Sequence, residues 1–183
     1  MKWPFPETNR ITSKFDEQRP LHNPGHHVHG AIDVAGPIGS HIIAPEAGKL
    51  ILYFAIRHNT TSTWPGNRME HWPFRNYFYD VWGAISVLYG ESGMVHLFAH
   101  AYMNQLYNKL FSKRHWGYVE QKEDDRFPLF SFTLEEDIKK GKNIGYIGNA
   151  GYSTGAHCHY EIHNGDKWTR WEDRKDPEVI DWE

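Results

Sequence analysis

Cysteine is almost missing from this 183-residue chain: Cys158 is the only one. A single thiol excludes an internal disulfide and any zinc site built from several cysteines. A dominant charge is missing too. With 20 Lys and Arg against 23 Asp and Glu, there is no broad basic field, so neither nucleic acid nor an anionic membrane is expected as a partner. No apolar run approaches the roughly 20 residues of a membrane span. The opening MKWPFPETNRITSKF has no apolar stretch of the kind a signal peptide carries. Long stretches of helical periodicity are scarce as well, and there is no internal repeat of about 20 to 50 residues.

What the chain does have is short apolar or alternating runs separated by Gly, Pro, Asn and Ser. HIIAPEAGKLILYFAI, WGAISVLYG, GMVHLFAHAY, KNIGYIGNAG and HCHYEIHNG all read as strands with turns between them. The expectation is one mainly β domain over residues 1–183, an antiparallel sandwich or barrel-like sheet with at most short helices. Two stretches break the rhythm, 57–80 and 103–133, and are read as insertions. MNQLYNKLFSKRHWGY within the second predicts a short helix, and LEEDIKKGK (134–142) a solvated helical turn. Trp64, Trp72, Trp82 and Trp116 lie in or beside these stretches, where buried packing is a commoner role for tryptophan than stacking on sugar rings.

Histidine is in excess, with 13 residues and no contiguous run. In STGAHCHYEIH, strand alternation turns His157 and His159 to one face, about 6.6–7 Å apart along the backbone. Cys158 then points to the other face, where a small thiol acts as apolar filler. A second cluster, GHHVHGAIDVAG, places Asp33 four residues after His29. AIDV favours a strand, and the even spacing again predicts one shared face. His27 shares that face and stays open as an alternative ligand. Two imidazoles and a carboxylate would hold Zn²⁺ with one coordination position free, the arrangement that lowers the pKa of a bound water toward ~7. His157 is then placed beside that water. MVHLFAH offers His96 or His100 for the same pocket, and spacing does not choose between them.

At this point the residues resemble the lysostaphin- and LytM-type zinc metalloendopeptidases, which cut peptides in bacterial peptidoglycan. RITSKFDEQRP is similar to the lead-in strand of that family. HGAIDVAGPIGSHIIAPEAGKLI is similar to its His-x-x-x-Asp segment, WGAISVLYGESGMVHLFAH to its middle hairpin, and DPEVI to its closing segment. Most specific is the run from Gly145 to His159, Gly-x-x-Gly-x-x-Gly-x-Ser-Thr-Gly-x-His-x-His. The resemblance implies one Zn²⁺ per chain on His29, Asp33 and His159, a catalytic pair of His100 and His157, and a peptidoglycan peptide as substrate. It also implies action at the cell wall, by a mature secreted fragment or a bacteriophage-delivered enzyme. Two small departures stand out: Ala31 where the family usually has glycine, and Cys158 where it usually has an aliphatic residue.

His22, His26, His41, His58, His71, His115 and His163 are read as outside the catalytic set. A zinc D,D-peptidase of the carboxypeptidase type would need its first His and Asp further apart than His29 and Asp33, and two other rival readings stand beside it. One is a relative that keeps the fold and binds without catalysis. The other is a cupin-type metalloenzyme, which would need a glutamate further beyond the paired histidines than Glu161.

Overall fold

The alternating runs fold as strands in a computed structural model that describes residues 1–18, 28–57, 84–101, 129–149, 153–166 and 171–183. In chain order they are β1 (Arg10–Ser13), β2 (Ile32–Ala35), β3 (His41–Ile43), β4 (Gly48–Arg57) and β5 (Ala84–Gly90). There follow β6 (Met94–Ala101), β7 (Leu129–Ile138), β8 (Asn143–Tyr146), β9 (His157–Asn164) and β10 (Arg174–Lys175). Among the described residues the only helical elements are two 3-10 turns, Trp171–Asp173 and Pro177–Val179.

Every strand pair is antiparallel. The large sheet runs β1-β2-β9-β6-β5-β4-β7, and β3 with β8 forms a separate ribbon. β9 is central: β2 lies on one edge, with Asp33 opposite His159 and Ala35 opposite His157. β6 lies on the other, with Ala99 opposite His159. Where β2 stops at Ile32, opposite Tyr160, β10 takes over the same edge of β9, with Arg174 opposite His163. Residues directly opposite share a face, so these registers decide which side chains meet.

One face of the sheet carries Ile32, Val34, Phe98, Cys158, Tyr160 and Ile162. They form the main core with Phe5, Ile147 and the ribbon's Ile42 and Ile144. Phe5 stands edge-on to Tyr160 with ring centres 5.6 Å apart. Burying each such large side chain contributes roughly 1.5–3 kcal/mol. The opposite face carries Asp33, His157, His159 and Glu161 beside a smaller cluster of Ile85, Val87, Val95, Leu97 and Ala99. Cys158 is fully buried on the core face, as alternation requires, and burial pushes its thiol pKa well up.

The expected antiparallel β architecture is present, as one broad sheet covered by a ribbon, with no barrel closure among the described residues. Two details differ from expectation. Residues 129–133, assigned to the second insertion, are the first half of β7. LEEDIKKGK is no helical turn: Leu134–Ile138 complete β7, and the chain then reverses at Gly141, whose φ is 78°. β4 pairs with β7 without a break from Gly48 opposite Ile138 to Arg57 opposite Leu129. Such a ladder outweighs the few tenths of a kcal/mol that helical i,i+4 charge pairs offer. Arg57, the first residue of the other stretch, ends β4; residues 58–80 and 103–128, the helix expected from MNQLYNKLFSKRHWGY, and Trp64, Trp72, Trp82 and Trp116 lie outside the described residues.

Candidate metal centre

His29, Asp33 and His159 come together as a triad of donor atoms. His29 Nε2 lies 3.1 Å from His159 Nδ1, His159 Nδ1 lies 3.0 Å from Asp33 Oδ1, and Asp33 Oδ1 lies 3.3 Å from His29 Nε2. A tetrahedral zinc ion with bonds of about 2.0–2.1 Å spaces its ligand atoms by about 3.3–3.4 Å. The triangle therefore fits such an ion with shifts of a few tenths of an ångström, and two imidazoles with one carboxylate suit it chemically. Both histidines are buried and Asp33 is half-buried.

The strand pleat does not explain His29, contrary to the spacing argument. β2 begins only at Ile32, so His29 lies before it. The turn after β1 holds it: Asp16 N–H donates to His29 O, and His29 N–H donates to Glu17 O. His29 Nδ1 lies 3.1 Å from the carbonyl of Lys14. A carbonyl only accepts, so Nδ1 carries the hydrogen and Nε2 keeps its lone pair for the triad. His27, the alternative ligand, lies outside the described residues, as do His22, His26, His58, His71 and His115. His41 pairs with Glu7 on the surface.

His157 stands beside the triad. Its Nδ1 donates to Gly155 O at 2.8 Å, by the same logic, and its Nε2 is 3.9 Å from Asp33 Oδ1. An imidazole fixed this way points an acceptor nitrogen at whatever sits above the triad. His100 is buried, with its ring centre 4.8 Å from that of His157 and 6.0 Å from that of His159.

Even spacing put His96, Phe98 and His100 on one face, and the structure separates them. Ser86 is opposite Phe98 but Ala84 is opposite Ala101, so β6 carries one extra residue. At this bulge His100 adopts a φ of 60°. Bulges re-aim side chains, and this one turns His100 away from the core face and onto the triad. The left-handed backbone costs a non-glycine residue roughly 1–2 kcal/mol. His96 stays in the core, with Nε2 2.8 Å from Glu46 Oε1 and Nδ1 2.8 Å from the Tyr160 hydroxyl. It is a satisfied core histidine.

In the sequence Glu161 is only a poor match to a cupin ligand. It lies behind the triad and touches His159: its Oε1 is 3.0 Å from His159 Nε2. Burial alone would raise its pKa, but hydrogen bonds from His159 and His163 and the charge of Arg174 hold it well below the ordinary range. Asp33 behaves alike. Burial pushes it up, and hydrogen bonds from His159 and His29 more than reverse that. For His159 burial favours the neutral ring, while Asp33 and Glu161 on its two nitrogens raise its pKa overall. Strand alternation from His159 was signal enough to find Glu161. Arg174 had none, because its place depends on the β9–β10 pairing.

Three donor atoms in a triangle, two further imidazoles beside them and an antiparallel sheet beneath make a group that could hold one metal ion. No family model matches the chain. No curated protein matches it by sequence. Solved structures do match. A zinc-containing peptidase from Vibrio cholerae superposes with a TM-score of 0.54 at 17% identity, over 99% of this chain and 40% of that one. The catalytic domain of the antimicrobial peptidase lysostaphin from Staphylococcus simulans gives 0.54 at 17% identity, over 92% and 89%. LytU gives 0.50 at 23% identity, over 96% and 87%. The chain has the lysostaphin-type fold that its sequence led us to expect, and it spans well under half of the Vibrio protein.

Proposed function

We propose that this chain is a zinc-dependent endopeptidase acting on the peptides of bacterial peptidoglycan, either cross-links or stem peptides. The observation that carries the reading is the donor triangle of His29, Asp33 and His159, with His157 Nε2 beside it, 3.9 Å from Asp33 Oδ1. The fold shared with a zinc-containing peptidase and with lysostaphin supports the same reading. His29, Asp33 and His159 would hold the ion. Bound zinc supplies Lewis acidity, polarising a carbonyl and bringing a water's pKa toward ~7.

The rest is work for this chain's own side chains. Hydrolysis adds water across a C–N bond: the oxygen joins the carbonyl carbon, one proton leaves that water, and the departing nitrogen gains one. His157 Nε2 is placed to take the first proton and return it to the nitrogen. His100, beside His157, is placed to donate to the oxygen that gains charge. General acid–base action of this kind contributes about 10²–10⁴ in rate, and one donor to a developing oxyanion about 10²–10³.

Metal content and turnover separate these roles. His159→Ala is expected to lose both bound zinc and hydrolysis of purified peptidoglycan. His157→Ala is expected to retain close to one zinc per chain while its rate falls by about 10²–10⁴. A His157→Ala protein that hydrolyses at the parent rate would overturn the assignment.

A further inference from the structure

Behind His159, on the side away from Asp33, sits a buried charge cluster that no reacting atom touches. Glu161 is 1% exposed. Its Oε1 receives His159 Nε2 at 3.0 Å and Arg174 Nη2 at 3.1 Å, and its Oε2 receives His163 Nε2 at 2.7 Å and Arg174 Nε at 2.9 Å. Two donors on each oxygen fill the accepting capacity of an ionised carboxylate. Such a carboxylate only accepts, so His159 Nε2 and His163 Nε2 both carry hydrogens. In its neutral form His159 therefore keeps the lone pair on Nδ1, the nitrogen facing His29 and Asp33.

Arg174 fixes the orientation of this carboxylate. Its planar guanidinium grips both oxygens at once, a geometry lysine cannot reproduce. It also neutralises a charge that burial alone would make costly. β10 is held beside β9 by its pairing with His163 and Ile162. The following 3-10 turn is capped by Asp176, whose carboxylate accepts from Glu178 N–H at 2.9 Å. The guanidinium thus has a fixed base.

We infer that Arg174 is a positioning residue of the metal centre, acting through Glu161 to hold His159 with Nδ1 turned toward the ion. This rests on the zinc reading proposed above. It makes the C-terminal strand, remote in sequence from the first two ligands, part of the metal centre. Partners of this kind on a ligating histidine typically change metal affinity by 10–100-fold when removed.

The test is zinc affinity of the full chain, measured by competition with a chromophoric chelator. The variants are Glu161→Gln, Arg174→Met, their double and Arg174→Lys, with thermal unfolding of the zinc-free proteins alongside. Glu161→Gln and Arg174→Met are each expected to weaken zinc by about 10–100-fold. The double variant should bind no more weakly than Glu161→Gln alone, because the two residues act in series. Arg174→Lys should recover part of the loss. Affinities within about twofold of the parent would overturn the inference. So would additive losses in the double variant, or losses that track the zinc-free stability variant for variant. Should Arg174→Met fail to fold, Glu161→Gln and Arg174→Lys decide the matter by the same affinity reading. A parent that binds zinc, responds as expected and cuts no wall peptide would leave this inference standing and remove the endopeptidase reading. A parent that binds no zinc would remove both.

Discussion

The paired histidines at 157 and 159 bracket a cysteine that takes no part in the site. Cys158 points into the core, with its Sγ 3.6 Å from the carbonyl of His159. Cys158→Ala is therefore expected to keep zinc and turnover at close to parent values. Cys158→Ser sets a hydroxyl in an apolar pocket and should cost about 1–3 kcal/mol where it finds no good partner. Urea unfolding and hydrolysis assays of the two variants check this. At this scale the sequence was most informative: alternation alone places His157, His159 and Cys158 correctly. Alternation fails at His29, which lies ahead of its strand and is aimed by the Lys14 carbonyl and the Glu17 backbone. Hydrogen bonds between a turn and a loop leave no periodic trace.

Among the elements, β6 shows where local reading must stop. A strict period of two would put His100 in the core with His96, and one extra residue puts it beside His157 and His159. The strained φ of 60° at His100 gives a sharp expectation. His100→Gly should be more stable than His100→Ala by about 1 kcal/mol, the reverse of the usual order, while both lose the contribution to rate proposed for the ring. A Gly variant less stable than the Ala variant in paired thermal melts would contradict the bulge geometry. The β4–β5 hairpin offers a second test. A Cβ at Gly48 would sit 2.1 Å from the backbone oxygen of Tyr89. Gly48→Ala must therefore force the strands apart, with an expected loss of about 1–3 kcal/mol. Strand existence was legible because each run alternates and ends in turn residues. The sheet order was not, because β2, β6 and β9 meet only through pairings distant in sequence.

Over the whole molecule, two buried polar systems among the described residues join segments distant in sequence. One is the Glu161 cluster. The other joins Glu46 to His96, to Ser92 N–H at 2.8 Å and to Ser92 Oγ at 2.7 Å, bridging the β3–β4 and β5–β6 connections. Burial would raise the pKa of Glu46, but His96 and Ser92 as donors bring it below the ordinary 4.5. A depressed carboxylate adds stability above its unfolded pKa and loses it as pH falls through the folded one. The parent should thus lose thermal stability below about pH 4.5 more steeply than Glu46→Gln. Equal slopes in melts from neutral to acid pH would contradict that brace.

The most direct test of the proposed function is mass spectrometry of purified peptidoglycan after incubation with zinc-loaded protein, beside a chelated control. New stem-peptide or cross-link fragments that form only with metal are the expected result, and their masses identify the bond. Intact peptides from several wall types, despite one zinc bound per chain, would contradict it.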